Sequence, residues 1–287
     1  MNLNRIGVAL VATIGLAHSQ TAAPVSSMAF EVASVKANTS GTRTARITGG
    51  LGSPRFAATN VTLRMLITLA FSVRNFEISG MTSLIDSDRY DIEAKAGESK
   101  PTVEQSRSML QALLADRFKL AAHRETKEMP IYVLLPDKNG IKLAEPKEGG
   151  CVTFVPNLPP PPPGQPRPVY CSDIWIGPNS ISGAKIPMAG FVAELSGVLG
   201  RPVIDKTGYM GTFDVHLEFS SEGVASYGAG GFGGQAFPPG VGGDAVDPDS
   251  RPTIFTAVQE QMGLKLESQR GPSETLVIDH IEKPDAN

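Results

Sequence analysis

The alternation from Phe213 to Phe219 constrains the fold more than any other stretch of this sequence. Phe213, Val215, Leu217 and Phe219 fall on one side, and Asp214, His216 and Glu218 on the other. A period of two belongs to a strand with one buried face, so the chain must build a sheet backed by an apolar layer. Val203-Ile204 and a turn using Gly208 and Gly211 lead into it. The pattern recurs at Tyr90, Ile92 and Ala94, with Asp91, Glu93 and Lys95 facing outward.

Helices are placed around these strands. Thr62 caps one with Leu63, Leu66, Ile67 and Ala70 at helical spacing. Thr102 and Gln105 form a capping box for a second, carrying Met109, Leu110, Leu113, Leu114 and Phe118. Met188 to Leu199 makes a third, stopped by Gly200, and Thr253 to Met262 a fourth. Further strands are expected at Phe30–Lys36, Phe56–Val61 and Phe76–Ser79, the last followed by a turn near Asp86–Asp88. Two strand pairs complete the pattern. Lys119–Glu125 and Ile131–Leu135 flank a turn at Lys127–Pro130, and Leu264–Ser268 and Leu276–Ile281 flank Gly271-Pro272.

Each half thus reads strand, capped helix, short strand, alternating strand, helix and strand pair. The expectation is an α+β fold of two related small modules, an internal duplication, each a mixed sheet packed by two helices. The boundaries read as a signal peptide over 1–23, a first module over 28–145 and a proline-rich linker over 146–179. The second module covers 180–287, with a mobile Gly/Pro-rich insertion at 223–250.

The N-terminus has the layout of a secretory signal: Arg5, an apolar run from Ile6 to Leu16, then Ala17-His18-Ser19, with a second exit after Ala23. That run is too short to span a bilayer, and no later stretch is apolar enough. The mature chain is therefore expected to be soluble and exported, periplasmic or extracellular. An oxidising compartment favours pairing the two cysteines, Cys151 and Cys171, around Pro159–Pro163, two separate thiols being the alternative. A formal net charge of −3 gives no basic footprint for nucleic acid.

Asp205-Lys206-Thr207-Gly208 looks like the phosphorylated aspartate string of ion-pumping ATPases, but the nucleotide domain and membrane helices of those enzymes are missing, so it reads as a turn. Asp214, His216 and Glu218 could approach one another as metal ligands, although a solvated strand face looks the same. His123 reads as surface, and His280 follows Asp279 without an identifiable nucleophile. Gly228 to Gly234 is a poor phosphate loop because no helix follows it.

A family resemblance rests on several strings: Phe30-Glu31-Val32-Ala33-Ser34-Val35-Lys36, Thr62-Leu63-Arg64-Met65-Leu66 and Ile85-Asp86-Ser87-Asp88-Arg89-Tyr90-Asp91-Ile92. Leu113-Leu114-Ala115-Asp116-Arg117-Phe118-Lys119-Leu120, Gly200-Arg201-Pro202-Val203-Ile204-Asp205-Lys206-Thr207-Gly208 and Gly263-Leu264-Lys265-Leu266-Glu267 complete them. The sequence resembles an exported family of unknown function with many paralogues in Solibacter-type soil bacteria. Some of its relatives carry the domain behind a membrane-bound sensor metallopeptidase. That likeness implies extracytoplasmic sensing or binding and brings no catalytic residues. A weaker likeness, to the short N-terminal modules of secretins and TonB-dependent receptors, implies partner binding by sheet edges. The reading is a non-enzymatic binding or interaction module of the cell envelope with no cofactor, its partner an envelope protein or a small ligand. The alternatives are a small-ligand sensor and a metal-dependent hydrolase on the His216 face.

Overall fold

A computed structural model describes residues 29–42, 44–80, 83–97, 100–155, 168–222, 224 and 251–284. The expected signal peptide, the run Pro159–Pro163 and nearly all of the 223–250 insertion, Gly228 to Gly234 included, lie outside the described residues.

The first half opens with β1 (Val32–Ala37), β2 (Arg46–Thr48) and β3 (Arg55–Thr62), followed by α1 (Leu63–Phe71). Thr62 caps α1 by accepting from the Met65 backbone. A 3-10 turn at Asn75–Glu77 leads to β4 (Ile78–Ser79), where a longer strand was expected, and the expected turn near Asp86 is a short helix, α2 (Ser83–Ser87). Then come β5 (Arg89–Lys95), α3 (Val103–Phe118) with its Thr102/Gln105 capping box, and β6 (Ala121–Pro136).

The second half runs through a shorter series of elements. It has β7 (Ile174–Ile176), β8 (Ser180–Pro187), α4 (Met188–Leu199), β9 (Val203–Asp205), β10 (Thr212–Glu218), α5 (Ile254–Met262) and β11 (Leu264–His280). The fold is α+β. Each half has its own antiparallel sheet, ordered β1-β5-β3-β2 and β10-β8-β7, and one mixed sheet, β4-β11-β6-β9, is shared. The expectation of a mixed sheet within each half is corrected accordingly.

The expected turns at Lys127–Pro130 and Gly271-Pro272 do not form. β6 and β11 each run straight through and pair with one another, Arg270 opposite Pro130 and Pro272 opposite Glu128. Proline is tolerated there because a strand's outer edge needs no donor. β9 covers β6 only at Tyr132–Leu134, and β4 covers β11 only at Leu276–Val277, so both prolines sit where the ribbon is two strands wide.

This ribbon couples the cores. Leu276 and Ile278, at the far end of β11, pack in the first core with Tyr90, Ile92 and Phe118. Leu134, at the far end of β6, packs in the second with Phe191, Phe213 and Leu264. Each core is therefore closed by a strand end reached through the other half. The exits into the ribbon match: Lys119 and Gly263 both take a left-handed conformation after their helices. At Gly263 the requirement is steric as well, since a Cβ would lie 2.1 Å from the Gly140 carbonyl oxygen.

The halves also share an irregularity. β3 bulges between Ala58 and Val61 against β5, and β8 bulges between Gly183 and Ile186 against β10. Asn60 and Lys185 sit in the bulges with φ of 58° and 54°. In both, an aspartate on the facing strand accepts from the amide of the bulged residue: Asp91 Oδ1 from Asn60 N at 2.9 Å, Asp214 Oδ1 from Lys185 N at 2.8 Å. Asp91 Oδ1 also accepts from Asn38 Nδ2 at 2.7 Å. Asp91→Ala leaves both donors unmet near a buried Asn60 and should cost about 2 kcal/mol, with Asp214→Ala, on the exposed side, about 1 kcal/mol. Chemical denaturation of the two variants checks the order.

Asp137 anchors the turn after β6. Burial pushes its carboxyl up, but donors from the Asn139 and Lys138 backbone and the Gln259 side chain, at 3.0 Å, together hold it below the usual value. A depressed folded value means stabilisation that is fully present above roughly pH 4, the unfolded value, and lost as pH falls through the folded one. Asp137→Asn should therefore flatten the acid limb of the stability curve measured by thermal unfolding.

Candidate interaction surface

β10 presents its polar face to solvent, and the register places a row of side chains across the sheet. Trp175 on β7 is opposite Ser182 on β8, which is opposite His216 on β10. Directly opposed residues share a face, so the chain's single tryptophan lies in line with a hydroxyl and an imidazole. The neighbouring Ile174 and Ile176 turn the other way, against the second core. Ser182 Oγ is 3.0 Å from His216 Nδ1, and His216 Nε2 is 3.6 Å from Glu218 Oε1. The His216 side chain is 57% exposed, so water competes for each of these contacts.

Asp214 does not join them. Its Oδ1 is held by Lys185 N and its Oδ2 by Lys147 N at 3.0 Å. Among the described residues no group of three His, Cys, Asp or Glu side chains is placed to hold a metal ion. The β10 edge is covered at intervals: Asp214 N donates to Ala144 O, and the Gln261 amide accepts from Glu218 N and donates to Glu218 O. A side-chain amide there stands in for a neighbouring strand.

The other singled-out residues have structural partners. Asp205 Oδ1 accepts from Thr207 N at 2.8 Å and Thr207 Oγ1 at 2.7 Å, an Asx turn that places Gly208 at φ 69°. His123 pairs with Asp279 and His280 with Glu282, each at 2.8 Å on the surface.

Cys151 and Cys171 form a disulfide with Cα atoms 5.0 Å apart. It closes a small lobe in which Val152 bridges Tyr170 and the Phe154 ring meets the Tyr170 ring edge-on at 5.3 Å. The lobe is tied to the sheet beside the Trp175 row, with Cys171 bridging Ala184 and Ser172 N donating to Ala184 O at 2.9 Å. Among its described residues four apolar side chains do not fold inward: Phe154 is 61% exposed, and Val152, Val155 and Val169 are about half exposed. Neither Trp175 nor Ser182 stands out in the sequence. The available signal was the spacing that aligns β8 with β10.

These features define an α+β protein of two strand-linked cores, one bearing a disulfide lobe and an open, aromatic-containing sheet face. The chain belongs to the DUF3738 family of proteins of unknown function, whose model matches residues 64–281. Comparison with curated proteins and with solved structures finds no match. Among the described residues no helix is long and apolar enough to cross a membrane.

Proposed function

We propose that this is an exported, non-catalytic interaction module of the cell envelope that docks a protein partner on the disulfide lobe and the adjoining β10-β8-β7 face. The observation that carries the reading is the exposed apolar set Val152, Phe154, Val155 and Val169 on a covalently fixed lobe. Exposed apolar side chains that form a contiguous patch mark interaction surfaces, whereas singly scattered ones do not. Export is supported by the signal-like N-terminus and by the disulfide. The matching bulges and aspartates support an origin by internal duplication.

The rival is a metal-dependent hydrolase on Asp214, His216 and Glu218. For that, Asp214 would have to release two backbone amides to reach a metal beside His216. A metal assay on the wild type and His216→Ala separates the two: bound metal lost in the variant would favour the rival. The leading reading is tested by capture from envelope extract at several salt concentrations. A partner recovered by the wild type and lost in Phe154→Ser/Trp175→Ala, with unchanged melting, is expected. No partner at any salt, or equal recovery by both proteins, would overturn it.

A further inference from the structure

The phase of the β6–β11 ladder fixes which backbone groups of β11 face outward. Asp137 N donates to Gly263 O, so the odd-numbered residues of β11 bond to β6 and the even-numbered ones turn their N–H and C=O away from it. The outward bonds of β6 agree: Tyr132 N donates to Pro202 O and Leu134 O accepts from Lys206 N, both on the β9 side. Leu264, Leu266 and Ser268 therefore present backbone donors and acceptors along an edge of the shared sheet, before Pro272 interrupts it. β4 reaches β11 only at Leu276–Val277, and among the described residues nothing bonds to the outward groups of Leu266 or Ser268.

Two other edges are guarded. On β10, Ala144 O accepts from Asp214 N, and the Gln261 amide meets both backbone groups of Glu218. On β6, Pro130 removes an outward donor and the Arg270 side chain caps Glu128 O at 2.8 Å. An unguarded edge is a template for a further strand, and the side chains here say which strand fits. Antiparallel pairing with β11 of a second copy, centred on Leu266, lets the two Leu266 residues exchange both backbone bonds, with Ser268 facing Leu264 of the second copy. The same register sets Lys265 opposite Glu267 of the second copy, and Glu267 opposite its Lys265. Both fall at non-hydrogen-bonded positions, where facing side chains come closest. Within one chain Lys265 Nζ and Glu267 Oε1 are 2.6 Å apart, on side chains about half exposed. An ammonium and a carboxylate each have capacity beyond one bond, so the four groups close into a ring of alternating charge. Leu266, half-buried against the second core, meets its own copy on the other face.

We infer that the chain forms a twofold homodimer through this edge, joining two four-stranded shared sheets into one continuous sheet. Lys265-Leu266-Glu267 is complementary to itself under a twofold axis, as an interface between identical surfaces requires. So short a contact lies at the small, transient end of protein interfaces, so association is reversible. The edge carries no residue of the disulfide lobe or of the Trp175 row, and the dimer forms or fails without bearing on the docking surface proposed there.

The test is sedimentation equilibrium of the chain at concentrations up to about 1 mM, the range in which weak complexes populate. A reversible monomer–dimer equilibrium is expected, with exchange of the Leu266 and Ser268 amides slowing as concentration rises. Lys265→Glu and Glu267→Lys each set like charges across the twofold axis and should weaken the dimer about tenfold or more. The double variant Lys265→Glu/Glu267→Lys restores the alternation and should dimerise as the wild type does. Both side chains are on the surface, so these variants should fold. Ser268→Pro removes an outward donor while sparing the ladder to β6, and should abolish the dimer at unchanged melting. A chain that stays monomeric throughout would overturn the inference, as would a dimer that tolerates Ser268→Pro or either single reversal. A double variant no tighter than the single ones would do the same.

Discussion

Leu276→Ala is expected to unfold the first core preferentially, although the residue lies at the far end of the chain. Leu276 is 1% exposed and sits opposite Ile78 of β4, in the cluster with Tyr90 and Phe118. Truncating a buried leucine removes its transfer energy and leaves a cavity, together about 2–5 kcal/mol. Hydrogen exchange should accelerate first in β5 and α3, while β10 keeps its protection. Leu134→Ala should do the reverse, since Leu134 is fully buried against Phe191 and Phe213. If both variants loosen the same core, the two ends of the ribbon do not close separate cores. The same logic predicts that a fragment of residues 29–145 will not fold cooperatively, because Leu276 and Ile278 are missing from its core. Urea unfolding of that fragment, followed by circular dichroism, checks it.

This exchange of closing strands was the part of the fold least legible in the sequence. Local signals read well: Thr62 and Thr102 cap the helices expected of them, the helix expected from Thr253 forms with Thr253 as its cap, and the period-two strands bury the expected faces. Those signals depend on neighbours within a few residues, which a sequence displays directly. Pro130 and Gly271-Pro272 depend on context instead. The same residues that punctuate a hairpin are admissible on a two-stranded ribbon whose outer edges need no donors. Choosing between them required knowing that Arg270 faces Pro130, a pairing across most of the second half. The surface beside His216 was half legible for a related reason. Alternation put Asp214, His216 and Glu218 on one face, but the bulge at Gly183–Ile186 draws Asp214 to Lys185 N and leaves Ser182 opposite His216. A bulge contributed by a facing strand leaves no mark in the alternation of the strand being read.

Replacing both Cys151 and Cys171 with serine should lower stability by about 3 kcal/mol on the chain-entropy account for a loop of this length. The loss should register in the second half, where the lobe is joined to β8 through Cys171–Ala184 and Ser172, and exchange in β5 should change little. Reduction of the wild-type protein should reproduce the variant. The consequence for binding follows from how the apolar side chains are held. Val152 and Tyr170 bridge each other next to the bonded sulfurs, and the Phe154 ring leans on Tyr170, so the exposed set has a shape only while the lobe stays closed. Opening the lobe restores side-chain and backbone freedom that docking would have to remove again, which weakens association without deleting a single contact residue. Partner capture should therefore fall in the double serine variant even at temperatures where the second core remains folded. If capture survives reduction, the lobe is not the docking surface, and the Trp175–Ser182–His216 face would have to bind the partner without it.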